Sequence, residues 1–206
     1  MSTRTRVLRL LASWVLVAIG VPMLIRAELG VAPFDVFNTG MSHATGWSLG
    51  MTFIVDAMIF FAIGTLLGVR PGWGSVVGTA AIGPMVNVVL GIIPQQHAMA
   101  PRLGLLIGGT LILAVAICLV VTTELGAGPT EVVMLGLIHR GMGILPARWI
   151  ADGTPLVIGT VLGGSIGPGT LLFALSMGPM VKFGLRRLKY ETRRHALVGT
   201  DAAFGV

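Results

Sequence analysis

The sequence predicts an all-α, polytopic helical membrane protein built from two inverted repeats, each of three spans plus a re-entrant half-helix. Three observations predict it. Of the 206 residues, 54 % are hydrophobic and 11 % charged, with a mean hydropathy of +0.92, and a soluble domain of this size has too small an interior to hide so much apolar surface. The phrase ELGVAP at 28–33 returns as ELGAGP at 124–129. The apolar segments come in two lengths, one sufficient to cross a bilayer and one about half of that.

The long segments are 7–25, 49–68 and 75–93, then 103–122, 149–164 and 170–188. Arginines at 4, 6 and 9 ahead of the first imitate a secretory leader. The run is long enough to span, however, and its counterpart at 103–122 also precedes a copy of the phrase, so it is read as a helix. At an offset of 96, Glu28, Leu29, Gly30, Pro33, Val36, Gly40, His43 and Asp56 meet Glu124, Leu125, Gly126, Pro129, Val132, Gly136, His139 and Asp152. One residue is then lost. IGTLLG at 63–68 meets IGTVLG at 158–163, and GPMV at 83–86 meets GPMV at 178–181. The repeats occupy 1–98 and 99–190, with a cytoplasmic tail at 191–206.

The short pieces, 33–43 and 129–139, begin with proline, which suits the first position of a helix. Eleven residues reach about 16 Å, roughly half the hydrocarbon thickness. Six spans put both termini on one side. If that side is the cytoplasm, Arg26 and Arg102 are the only basic residues outside, as the positive-inside rule asks. Eight spans would satisfy the rule equally, so length decides. Three spans per half is odd, which inserts the second copy from the opposite face and places paired features near mid-bilayer.

The pI near 11.1 comes from basic residues at the termini and span ends, which excludes nucleic acid as the natural partner and points to the lipid bilayer. The RRLKYETRRH stretch at 186–195 reads as an anchor beside headgroups. The single cysteine, Cys118, lies within an apolar run and reads as a packing residue. No metal or cofactor signature is present, and no serine/lysine, HExxH or paired-aspartate motif suggests an enzyme.

Chemistry is therefore carried by eight acidic residues. Six form the pairs Glu28/Glu124, Asp35/Glu131 and Asp56/Asp152. A carboxylate at a span centre costs about 2.5–3.5 kcal/mol on insertion scales, so it implies a counter-charge, a water-lined cavity or a bound proton. Asp35 and Glu131 sit in the first turn of their half-helices, where the dipole favours them. Glu28 and Glu124 follow a long helix, where it does not. Asp56, well inside its span, is the foremost candidate for coupling, with Asp152 close to Arg148. Gathered by inversion, with Arg26 the one basic residue nearby, these acids call for protons, metal cations or a cationic solute. Half-helix amides beside Gly30, Gly126 and Gly128 could hold an anionic group, so a zwitterion also fits.

Hinge elements are expected at Gly83-Pro84 and Gly178-Pro179, where proline would interrupt the last helix of each half. Ser75 and Thr170 read as helix N-caps, His43 and His139 as C-terminal caps, and Trp47, Trp73 and Trp149 as an aromatic belt. Gly64/Gly68 and Gly159/Gly163 have the GxxxG spacing of close helix contacts.

AELGVAPFDVF followed by TGWSLG, then GAGPTEVVMLGL and GGSIGPGTL, resemble the YczE-like bacterial membrane proteins, which are distantly similar to the YitT group. The resemblance covers about residues 8–188 and implies a multi-pass protein of the bacterial inner membrane. By position, Gly30, Pro33 and Asp35, with Gly126, Gly128 and Pro129, match the family's turns. Where the family's second copy reads Gly-Pro-Arg-Asp, this chain has Gly128-Pro129-Thr130-Glu131 and lacks the arginine.

The reading that results is a proton- or cation-linked transporter or permease of a small zwitterionic or cationic solute, with cytoplasmic termini and room for a homo-oligomer. Asp56 and Asp152 would couple, with Glu28, Glu124, Asp35 and Glu131 around a central hydrated cavity. The alternative is a non-transporting accessory or assembly factor for an enzyme or exporter, solid inside and binding through its glycine-rich helix faces.

Overall fold

The computed structural model describes residues 2–188. They form eight α-helices: α1 Thr3–Ala27, α2 Pro33–Thr45, α3 Leu49–Leu66, α4 Trp73–Ile92, α5 Met99–Val121, α6 Pro129–His139, α7 Ile144–Val161 and α8 Pro168–Arg187. The tail expected at 191–206 lies outside the described residues.

Local chemistry starts the helices where the sequence suggests. Ser2 and Ser48 accept the amides of Thr5 and Met51 as N-caps of α1 and α3; Pro33 and Pro129 open the two short helices. Among the described residues four helices are long and apolar enough to cross a membrane: α1, α3, α4 and α5. Six were expected. The helices α7 and α8 have 18 and 20 residues but dilute their apolar runs, α7 with Arg148 and Asp152 and α8 with Lys182 and a basic last turn.

At the centre α1 lies along α5, its counterpart in the repeat. A Cβ on Gly20 would sit 2.7 Å from Leu113 Cγ, and one on Gly109 would lie 3.1 Å from the Gly20 carbonyl oxygen. Leu24, Val31, Val36, Leu106, Leu113 and Phe173 continue this core. The short helices cross over: α2 packs on α7 and α6 on α3, as well as each on its own neighbour. The GxxxG glycines serve these crossings. Gly64 faces Val132 and Gly159 faces the Val36–Phe37 backbone; Gly68 faces His139 and Gly163 faces His43.

The repeated phrase closes the same exchange. The Leu29 carbonyl accepts the Gly169 amide at 2.6 Å, and the Leu125 carbonyl accepts the Gly74 amide at 3.2 Å. Each copy thus holds the start of the last helix of the other half. For this reason the caps of α4 and α8 are Gly72 and Gly167, not Ser75 and Thr170: only glycine lets the turn approach so closely. Ser75 Oγ instead donates to the Ala127 carbonyl at 2.6 Å.

One further expectation differs. Pro84 and Pro179 lie inside unbroken α4 and α8; one missing amide bond is tolerated in an apolar helix. The halves also differ in one contact. In the first, Gly50 and Gly83 bring α3 and α4 together, a Cβ on Gly83 falling 2.5 Å from the Gly50 carbonyl oxygen, and Asn87 accepts the Gly50 amide at 2.8 Å. In the second, α7 and α8 are not packed in this way; a Cβ on Gly178, the counterpart of Gly83, would meet nothing within 4 Å.

Candidate functional site

The six paired acids sort into two kinds of place. Glu28 and Glu124 follow their long helices in the left-handed conformation, at φ 51° and 56°. Each meets an arginine from the other half. Glu28 pairs with Arg102 at 3.6 Å and Glu124 with Arg6 at 3.4 Å, and Arg6 and Arg102 are themselves 96 residues apart. Arg102 also donates to the carbonyls of Ala27 and Glu28 at 2.7 and 2.6 Å. It satisfies the last carbonyls of α1 and offsets the negative helix end, which is how an acid is tolerated there. These two acids are therefore not free members of a central cluster. Nor is Arg26 the cation that serves them; it donates to the Leu90 carbonyl at 2.6 Å.

This geometry separates two contributions. With side chains 21 % and 52 % exposed, the Arg102–Glu28 pair itself should show a coupling of about 0.2–1 kcal/mol in a double-mutant cycle. Arg102→Ala should destabilise more than Glu28→Ala, because it also leaves two helix-end carbonyls unpaired. Equal losses in thermal unfolding would show the carbonyl contacts to be unimportant.

The other four acids form two half-specific pairs. In the second half Arg148 bridges Glu131 and Asp152, with Nη1 3.6 Å from Glu131 and Nε 2.5 Å from Asp152. Thr130 Oγ1 donates to Glu131 at 3.3 Å. All three charged side chains are partly exposed. In the first half Asp35, in the first turn of α2, and Asp56, on the neighbouring α3, are both buried, Asp56 at 0 % exposure. Asn38 Nδ2 donates to Asp35 Oδ1 at 3.4 Å. Both carboxylate oxygens of Asp56 and the amide oxygen of Asn38 have no hydrogen-bonding group against them. The position equivalent to Arg148 is Thr52, fully buried.

Aromatic rings surround this first pair. Phe53, Asp56 and Phe60 fall on one face of α3 at helical spacing. Phe34, beside Asp35, stands edge-on to Phe53 at 6.0 Å and to Phe60 at 5.5 Å. Phe37 stands 6.1 Å from Phe60. The face of α3 that carries Asp56 is thereby turned toward the first turn of α2. Sequence reasoning found the two aspartates but missed Asn38, Phe34, Phe53 and Phe60, because the repeat replaces them with Met134, Thr130, Trp149 and Leu156.

The expected hinge and turn residues are packing elements. A Cβ on Gly30, at φ 107°, would crowd Thr170, and one on Gly126 would crowd Ser75; Pro33 and Pro129 start the short helices. The segment before α2 and α2 itself are fastened to the turn ahead of α8, the Val31 amide donating to the Ser165 carbonyl and Thr39 Oγ1 accepting the Ser165 amide. Among the described residues no three His, Cys, Asp or Glu side chains gather as metal ligands would. What the first-half pair can do is hold positive charge.

Residues 4–186 match the model of a family described as a family of unknown function, DUF6198. The chain is 27 % identical over 171 residues to an uncharacterized protein of Haemophilus influenzae, covering 82 % of this chain and 78 % of that one. It is 25 % identical over 180 residues to the uncharacterized membrane protein YczE of Bacillus subtilis, covering 84 % and 82 %. No solved structure matches.

Proposed function

The chain belongs to the DUF6198 family, and on that premise we propose that this integral membrane protein is a transporter or permease of a small cationic or zwitterionic solute, coupled through Asp35 and Asp56. One observation carries the reading. Two carboxyl groups share a buried site within the helical bundle, one with no hydrogen-bonding group on either oxygen, whereas the repeat-related pair is bridged by an arginine. Unpartnered carboxylates in an apolar interior are costly and mark transport paths or proton relays. The test is uptake by proteoliposomes of a mixture of amines and amino acids, read by mass spectrometry. Accumulation above empty vesicles supports the reading; equal amounts overturn it.

The architecture proposed is six spans, with α2 and α6 entering and leaving on one side and the halves inverted in the inner membrane. The crossed ion pairs support it. The Arg102–Glu28 contact needs the start of α5 beside the end of α1, and the Arg6–Glu124 contact needs the end of α5 beside the start of α1. If α2 crossed fully, the two members of each pair would lie on opposite sides of the bilayer. A periplasm-active reporter fused after Gly46 should therefore be active, and a cytoplasm-active one silent. The reverse pattern would refute the inversion. The close Gly50–Gly83 contact of α3 with α4, not repeated at Gly178 in the second half, then supports a state packed more tightly on the outer side than on the cytoplasmic side.

The accessory-factor reading fares less well. The glycines that would present a docking face are occupied inside the chain by Val132, His139, Phe37 and His43.

A further inference from the structure

We propose that the Asp35–Asp56 site takes the organic cation group of its solute, an ammonium or guanidinium, instead of a bare metal ion. The inference rests on the reading of this pair as the solute-handling site. Its warrant is a comparison that the chain makes with itself. The same two positions of the repeat, a half-helix acid and a span acid, hold a guanidinium in the second half: Arg148 lies between Glu131 and Asp152. That contact is an intramolecular version of the recognition proposed. The first half keeps both acids, buries them more deeply and puts Thr52 where the arginine would be, which leaves that place open to a cation from outside the chain.

The walls distinguish the classes of cation. Hard metal ions ask for several oxygen ligands in a close shell. Here the face that carries Asp56 is flanked by Phe53 and Phe60, bridged by Phe34. Aromatic rings attract ammonium and guanidinium groups through their π faces and accommodate their apolar substituents. The buried amide oxygen of Asn38, which no donor meets, adds an acceptor for an N–H. In the second half, where an intramolecular cation is present, Thr130, Leu156 and Met134 stand in place of Phe34, Phe60 and Asn38, and only Phe53 has an aromatic counterpart, Trp149. Two carboxylates, one amide oxygen and three rings are the components of a site for an organic cation.

The experiment measures the melting temperature of the purified full chain against millimolar tetramethylammonium and methylguanidinium, with sodium and potassium at matched ionic strength. Ligands that bind the native state raise it. The expected result is a saturable rise with one or both organic cations and none with the metals. Asp56→Asn should abolish the rise, and Phe34→Leu should weaken the affinity about fivefold. Thr52→Arg, supplying an internal guanidinium, should remove the response; if that variant does not fold, Asp56→Asn alone decides. An equal rise with sodium, or no rise with either organic cation, overturns the inference while uptake by the wild type leaves the transport reading in place. Uptake unchanged in Asp56→Asn, with no cation response, overturns both.

Discussion

Asp56→Asn is expected to lower solute uptake by about two orders of magnitude while the protein stays folded and melts at the same temperature or higher. The two outcomes have one cause. Asp56 is buried, and neither of its oxygens meets a hydrogen-bonding group of the protein, so the fold gains nothing from its charge. An ionised group in such a place costs about 2.5–3.5 kcal/mol, and asparagine keeps the shape without that cost. If the carboxylate contributes about 2.8 kcal/mol to drawing in the cation, its removal corresponds to about a hundredfold in binding or transport. Asp152→Asn should behave otherwise. It breaks the 2.5 Å contact with Arg148 and should act mainly on stability. Uptake by proteoliposomes, set beside thermal unfolding of the same preparations, reads both. Wild-type uptake in Asp56→Asn, or unfolding of that variant, would remove the basis for assigning it the central role.

Gly159→Ala is expected to destabilise the protein by about 1–3 kcal/mol, the usual range for overpacking. A Cβ there would lie 2.5 Å from the Phe37 amide nitrogen and from the Val36 carbonyl carbon. Both are backbone atoms of α2, and a backbone cannot turn aside as a side chain can. Since α2 carries Asp35 and Asn38, its displacement should also impair uptake. Gly178→Ala provides the control, because its Cβ would meet nothing within 4 Å. It should be neutral or stabilise by up to about 1 kcal/mol, the ordinary gain of alanine over glycine in a helix. Thermal unfolding in detergent separates the two; equal effects would mean that the close crossing of α2 and α7 does not limit stability.

Much of the fold was legible because the chain states it twice. Proline at 33 and 129 and the length of the following runs located both short helices, and hydropathy located α1, α3, α4 and α5. The duplication also misled. It made the six acids look equivalent, and the interior sorts them by neighbours that the repeat does not share. Thr52 against Arg148, and Asn38 against Met134, decide which pair is neutralised within the chain. Such differences carry no periodicity, so the sequence displays them without weighting them. The partners of Glu28 and Glu124 were within reach, since Arg6 and Arg102 obey the same offset. The exchange of contacts between halves was not, because a repeat specifies equivalence and leaves open which copy touches which.

That exchange has a consequence for how the molecule is made. When residues 1–98 have left the ribosome, the amide of Gly74 and the hydroxyl of Ser75 still await carbonyls at positions 125 and 127. The carbonyl of Leu29 likewise waits for residue 169. The early product is an unlatched intermediate, exposed to quality-control proteases until its second portion arrives. Two separately encoded fragments should each be short-lived in the cell, yet accumulate when synthesised together.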